Sequence, residues 1–402
     1  MKTFSPRHIP GALVGVIAAC FVCMALGASA AMTPRFGANG ADFLRSIFGD
    51  AFVAKLETFV YSAKDQLDQL QFNAGLKKAD LSWQLPSDEL PIGQTNTNPA
   101  ASAPKADEDG KMTDGASSAS LNSAGWPLPA AQPFSQIKGE GEWLPYLRNK
   151  NGEMVAARTF LNPDPQRPYV SVGVVAFDLT RTRLGFVAGT EEPVSATPFT
   201  RTGRIPPNDF VAGKLIAVFN GGFKTTHGKY GAMFNGRVIV PARDNMMTIA
   251  LDKDSAIRIG KWGQPGLVTT NTVSWRQNGP PMIDAGAINP LTHDMTASNW
   301  GANLDGSVAV WRSSLGLSKD GKTLFYAAGN ALVTEPLANA MQRAGAWNAM
   351  QLDINNYWVH FDAVRADTGA MRTEALFDSM SKQDDDRYLK SNKRDFFYVV
   401  TQ

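Results

Sequence analysis

An amide, a cation and an imidazole follow one another closely in LIAVFNGGFKTTHGKYGAMFNG, residues 215–236. Asn220, Lys224 and His227 are side chains that grip hydroxyls and oxyanions. Gly221 and Gly222 permit positive φ and let another group approach the main chain. Two more polar positions lie far along the chain. Arg312 stands inside an apolar run, where a charge is costly unless it is paired or turned toward a site. Asp353 closes another apolar run and is followed by Asn355, Asn356, Tyr357 and His360. Brought together, these groups would line a polar ligand cleft; kept apart, they are ordinary strand-to-loop turns with solvated side chains.

The elements that would have to gather them are mostly strands. The continuous apolar run Leu215–Phe219 predicts a strand buried on both faces. Pro168–Asp178 predicts a strand with Arg181–Val187 as its hairpin partner across Thr180–Thr182. Asn235-Gly236 marks a hairpin within Ala232–Ile239. Asp252-Lys253-Asp254 and Lys319-Asp320-Gly321 mark two more, the first between Thr248–Leu251 and Ala256–Lys261, the second between Val308–Ser314 and Thr323–Ala328. One helix is clear: Thr334 can cap it, Glu335 and Pro336 suit its first turn, and Gly345 ends it. A strand over Ala346–Leu352 then delivers Asp353 to a sheet edge, while Phe361, Phe396, Phe397 and Tyr398 read as core or edge-strand residues. The fold class is α+β, a strand-rich mixed-sheet core with a few packed helices.

Composition bounds the function. The 402 residues are 44% hydrophobic and 19% charged, with a formal charge of +2, and no basic stripe suggests a nucleic-acid partner. Cys20 and Cys23 both fall in an N-terminal apolar segment, so the remainder of the chain has no thiol chemistry. Lys2, Arg7 and His8 precede the uncharged stretch Ile9–Ala31, which reads as an export signal ending near Ala28-Ser29-Ala30, as an uncleaved membrane anchor, or as a lipobox at Ile17–Cys20. Residues 42–76 carry a helical apolar pattern, expected to pack on the domain or on itself, and 79–133 compose a Pro-, Ser- and Asn-rich flexible linker. The globular domain is expected over 134–402.

Within that domain the chain resembles the phosphodiester glycosidase family. The likeness rests on Asn220-Gly221-Gly222-Phe223-Lys224 after a buried strand, on Pro281–Gly286, on Arg312-Ser313-Ser314-Leu315-Gly316 before a hairpin, and on Gly345-Ala346 leading to Leu352-Asp353. Ile354, Asn355 and Asn356 occupy the place of that family's glycines, and asparagine tolerates the left-handed backbone such a turn asks for. The resemblance implies a hydrolase for a sugar-1-phosphodiester or a related envelope or exopolysaccharide glycan. Its oxocarbenium-like chemistry ordinarily uses two carboxyl groups. Asp353 is the first of these, as nucleophile or base, and Glu335, Asp284 and Asp305 are candidates for the second. Lys224 and Arg312 would neutralise the phosphate, with Asn220, Gly221, Gly222, His227, Asn355 and Asn356 contacting substrate. The alternative is a non-catalytic glycan-binding module in polysaccharide assembly or envelope anchoring, with a histidine-dependent metallohydrolase a more remote one. No cofactor is implied, although Asp384-Asp385-Asp386 could hold Ca²⁺ weakly. A glycan or sugar phosphate and, through the N-terminal segment, a membrane are the expected partners, and the location is exported, periplasmic or extracellular.

Overall fold

The computed structural model describes residues 128–402 apart from 198, 294–296, 302–308, 356, 368–369 and 381–385, together with 67, 69–72, 74–76 and 126. The N-terminal apolar segment, most of the predicted first helix and linker, and the Asp384-Asp385 pair lie outside the described residues. The described end of the predicted helix touches the domain. Phe72 packs on Tyr169 with ring centroids 6.0 Å apart.

Three sheets form the domain, and every described ladder is antiparallel. The largest contains eight strands in the order β1 (Leu144–Arg148), β2 (Met154–Leu161), β3 (Val172–Asp178), β14 (Thr323–Leu332), β13 (Val310–Leu317), β15 (Asn348–Ile354), β11 (Ile283–Asp284), β12 (Ala287–Ile288). A five-stranded sheet runs β17 (Ala370–Ala375), β16 (Phe361–Asp367), β5 (Leu215–Asn220), β18 (Phe396–Thr401), β4 (Thr182–Val187). The third runs β7 (Arg237–Val240), β6 (Ala232–Phe234), β10 (Thr272–Gln277), β8 (Met247–Asp252), β9 (Ile257–Lys261). Among the described residues from 128 onward, two α-helices accompany them, the single turn α1 (Ala297–Trp300) and α2 (Thr334–Arg343). The strand-rich α+β architecture expected from the sequence is the one observed.

Period-two alternation builds the layers. On β3, Val175 and Phe177 enter the core between the sheets, whereas Val172, Val174 and Ala176 face the layer that holds Leu337, Ala338 and Met341 of α2. On β18, Phe397 and Val399 join the central core, and Phe396, Tyr398 and Val400 pack on the opposite side with Tyr388. Phe219, Tyr326, Phe361 and Phe397 meet in the central core, with Phe219 stacked on Phe361 at 6.0 Å and 4.8 Å from Tyr326. This aromatic knot lies directly beneath Asn220.

Several expectations need correction. β3 and β4 are not a hairpin: β3 pairs with β2 and β14, β4 with β18, and the connection crosses between sheets. The Asp178 carboxylate bends the chain there by accepting from the backbone and hydroxyl of Thr180 and from Arg181. Of the two readings of Phe396–Tyr398, core holds and edge does not, since β18 lies between β5 and β4. Thr334 is the first helical residue, and the N-cap position belongs to Val333, without a side-chain cap bond. Packing also begins before residue 134: Trp126 is buried and donates to the Thr323 hydroxyl at 3.1 Å, and Trp143 donates to the Pro129 carbonyl at 2.8 Å.

Candidate active site

β5 and β15 belong to different sheets, and Gly221 sews their ends together. Its carbonyl accepts from the Asp353 N–H at 3.0 Å, and its own N–H donates to the Asp395 carbonyl at 3.1 Å. Neither Gly221 nor Gly222 uses positive φ. Glycine is required at this place by close approach: a Cβ on Gly221 would lie 2.6 Å from the Asp395 carbonyl oxygen, and one on Gly222 would lie 3.0 Å from the Arg276 guanidinium. Gly221→Ala is therefore expected to cost at least the roughly 1–3 kcal/mol of an overpacked core. A lowered urea midpoint, with activity reduced even in the folded fraction, would report it.

Asp353 sits at the junction so made. One carboxylate oxygen accepts from the Ile354 N–H at 2.9 Å, and the other is paired with Arg394. Both side chains are only 9% exposed. Burial pushes the Asp353 carboxyl above its ordinary range, against the pull of Arg394. Burial alone would lower Arg394, but Asp353, then Asp395 and, more weakly, Glu192 outweigh it and hold the guanidinium up. Arg394 also donates to the Gly222 carbonyl at 2.9 Å and lies 4.4 Å from the centre of the Trp358 ring. Lys224 reaches the same ring, its ammonium 5.4 Å from the centroid.

A second ion pair lies below the first. Arg276 and Asp395, each 1% exposed, meet at 2.9 Å. Asp395 accepts the Gly222 N–H at 3.1 Å, and Arg276 donates to the Phe223 carbonyl at 2.6 Å. The pair thus holds the N–H that enters and the carbonyl that leaves the two-residue segment Gly222-Phe223 after β5. Glu192 approaches the same loop from the other side and accepts from the Thr225 N–H and hydroxyl, both at 2.9 Å.

The predicted site residues are distributed as follows. Asp353, Gly221, Gly222 and Lys224 come together with Arg394 and Trp358. Asn220 arrives at the same junction but is sealed: its amide donates to Ser313 at 3.0 Å and its carbonyl oxygen accepts from Tyr326 at 3.0 Å and from the His360 N–H at 3.2 Å. It ties β5 to β13, and the Ser313 hydroxyl continues the chain to the Asp353 carbonyl at 2.8 Å.

Arg312, neighbour to Ser313 on β13, is likewise enclosed. It is 1% exposed and donates to the carbonyls of Leu332, Trp300 and Gly301 and to Gln351. Burial pulls this guanidinium down to about 9. What it holds is the chain at the end of α1. Glu335 sits half-buried in the first turn of α2, bonded to His293 at 2.9 Å, and no contact joins it to the Asp353 cluster among the described residues. Asp284 pairs with Lys261 near the opposite end of β15, where Ile283 faces Ala349. Asp305 and Asn356 lie outside the described residues. Asn355 has φ of 64°, the left-handed turn expected of it, and its side chain accepts from the Tyr357 N–H at 3.3 Å. His227 is exposed. His360 is fully buried against Asp362 at 2.8 Å.

Sequence reasoning missed Arg394, Asp395, Arg276, Glu192 and Trp358. One signal was available. Arg394-Asp395 opens the apolar strand Phe396–Thr401, the same arrangement of a charge against a buried strand that drew attention to Arg312 and Asp353.

The order of these elements, a buried strand into Gly221-Gly222, then Arg312 on β13, then α2 and β15 ending near Asp353, can be compared with known families. Residues 213–353 match the phosphodiester glycosidase family. The resemblance stated from the motifs is thereby borne out for this stretch. The match to the phosphodiester glycosidase family ends at Asp353, so Trp358, Arg394 and Asp395 lie beyond it, as Glu192 lies before it.

Among solved structures, the chain is similar to the catalytic domain of zebrafish N-acetylglucosamine-1-phosphodiester alpha-N-acetylglucosaminidase auto-inhibited by its pro-peptide. The identity is 13%, over 65% of this chain and 88% of that one, with a TM-score of 0.39. It is also similar to a hypothetical protein from Synechocystis at 11% identity, over 58% of this chain and 59% of that one, with a TM-score of 0.31. No curated protein matches it.

Proposed function

We propose that the chain hydrolyses the glycosidic C1–O bond of a sugar-1-phosphodiester at the Asp353–Arg394 junction. The observation that carries this reading is a buried carboxylate at the last residue of the stretch that matches the phosphodiester glycosidase family, paired with a fixed cation from beyond it. Water adds to C1, the C1–O bond breaks, and its electron pair leaves with the phosphate. The sugar gains a hydroxyl and the leaving group departs as a phosphomonoester. Asp353 in its ionised form is the nucleophile or base. Lys224, without a carboxylate partner among the described residues, neutralises the departing phosphate.

Glu192 takes the part of the second carboxyl group. It shares the field of Arg394, and one of its oxygens is pinned by Thr225 while the other has no hydrogen-bond partner among the described residues. Glu192→Gln is expected to lower kcat by about 10²-fold or more, the range of general acid–base catalysis. Steady-state kinetics on methyl glucose-1-phosphodiester would show this, and an unchanged kcat would remove Glu192 from the mechanism.

The raised Asp353 carboxyl has a pH signature. Since the ionised form is the active one, kcat/KM should fall on acidification with a midpoint above the ordinary carboxylate value of about 3.9. Arg394 pulls that midpoint down, so Arg394→Gln should move it further up in whatever activity remains. A pH–rate profile of both proteins checks the position and the direction.

The segment before residue 32 and the linker over 79–133 would place this domain outside a membrane, acting on an envelope or exopolysaccharide glycan. Release of a free sugar from methyl glucose-1-phosphodiester by the full chain tests the hydrolase reading. Binding without release in the wild type favours the glycan-binding module.

A further inference from the structure

We propose that Asn278 is a positioning residue that sets the separation between Lys224 and Asp353. The inference rests on the reading of Asp353 as the reacting carboxylate and Lys224 as the cation at the leaving group, and it adds what holds the two in register.

Asn278 follows β10, so it brings the third sheet to the place where Gly221 already joins the other two. Its side chain is fully buried, and one amide serves both reacting segments. The oxygen accepts from the Phe223 N–H at 3.0 Å, one residue before Lys224. The nitrogen donates to the carbonyls of Gln351 at 2.7 Å and Leu352 at 3.0 Å, the two residues before Asp353. Both amide protons are thereby used. The partners permit only this orientation, because the carbonyls need a donor and the N–H an acceptor.

The support is itself fixed. The Asn278 N–H donates to the Met247 carbonyl at 3.1 Å, and the Met247 N–H donates to the Gly279 carbonyl at 2.9 Å, so β8 holds the residue from both sides. Two positions earlier, Arg276 takes the Phe223 carbonyl. Phe223 is thus gripped at its N–H and its carbonyl, and its ring packs with Tyr230, Val310 and Ile354. The other links are less direct. The Gly221 carbonyl receives the Asp353 N–H three residues before Lys224, and the Arg394 bonds run through a long side chain. Cleavage at C1 needs Asp353 at the carbon and Lys224 at the departing phosphate simultaneously, and a misplacement of about 1 Å costs on the order of 10²-fold in rate. Binding through Lys224 alone tolerates such an error.

The test is a double-mutant cycle in the full chain, read by steady-state kinetics on methyl glucose-1-phosphodiester. Asn278→Leu keeps the size of the side chain and removes the amide. It should lower kcat by about 10²-fold and move KM by no more than about threefold. In a Lys224→Gln background the same substitution should cost no more than about threefold, since the spacing has lost one of its two members. Asn278→Ser, polar but too short to span both segments, should repeat the pattern where the leucine variant does not fold. A second readout needs no turnover: NMR of the chain with its lysines ¹³C-dimethylated, which keeps their charge. The Lys224 signal, identified by its absence in Lys224→Gln, should be shifted by the Trp358 ring and should move back toward the exposed lysines in either Asn278 variant.

Equal losses of kcat in the two backgrounds, a raised KM at unchanged kcat, undiminished turnover in both Asn278 variants, or a Lys224 signal indifferent to Asn278 overturns the proposal. Wild-type turnover with equal losses would strike Asn278 and keep the hydrolase reading. A chain that releases no sugar, but whose Lys224 signal still follows Asn278, would defeat the hydrolase reading and uphold the spacing role.

Discussion

Asp353→Asn is expected to reduce turnover of a sugar-1-phosphodiester by about 10³-fold or more, with KM little changed. The substitution keeps the size of the side chain and an oxygen for the Ile354 N–H, so the Gly221 carbonyl bond from the residue 353 backbone is unaffected. What it removes is the charge opposite Arg394, and with it the group able to attack C1 or activate water. Arg394 retains the Gly222 carbonyl and the Trp358 ring, which keeps the cation in place. Loss of kcat at nearly constant KM separates this effect from loss of binding. A variant retaining a tenth or more of wild-type kcat would take Asp353 out of the reaction.

The second large effect is on stability. Asp395→Asn should destabilise the domain by about 3–5 kcal/mol, because it strips the partner from a guanidinium that is 1% exposed. Arg276 would keep its bonds to the Phe223 and Gln277 carbonyls, at 2.6 and 2.7 Å, but not its neutralising charge. The Gly222 N–H would lose its carboxylate acceptor as well. Urea denaturation followed by tryptophan fluorescence measures the loss. The double variant Arg276→Met, Asp395→Leu should recover part of it, since an apolar pair of similar volume leaves no buried charge unmatched. Activity should not recover with it, as the Gly222 N–H and the Phe223 carbonyl then both lose their side-chain partners.

The parts of the fold that sequence reasoning reached are those whose cause is local. Asn235 and Gly236 both take positive φ, at 49° and 77°, so the β6–β7 hairpin follows from two adjacent residues. Gly345, at 106°, closes α2 in the same way. The apolar run of β5 identifies a central strand because burial on both faces leaves no room for polar alternation. The β3–β4 connection failed for the opposite reason. A short polar link between two strands fits a hairpin, and only the Asp178 bonds and the partners across two sheets decide otherwise.

The site divides along the same line. Asp353 was legible as a carboxylate at a strand end. Its partner Arg394 is 41 positions away, and the Asp395 partner Arg276 is 119 away, so no local pattern joins them. Arg312 was rightly marked as a charge that needs a reason, and the reason is carbonyl groups near α1 that sequence spacing does not display. Asn220 shows how a position can be legible while its partners are not. It lies at the junction, but Ser313, Tyr326 and His360 use its hydrogen-bonding capacity before a substrate could.

The central claim is that the carbon–oxygen bond at C1 breaks, and hydrolysis in ¹⁸O-enriched water tests it most directly. The full chain is incubated with methyl glucose-1-phosphodiester and both products are weighed by mass spectrometry. The account predicts ¹⁸O in the released sugar and none in the methyl phosphate. Label in the phosphate would mean attack at phosphorus, and the Asp353–Arg394 junction would then not be a glycosidase site.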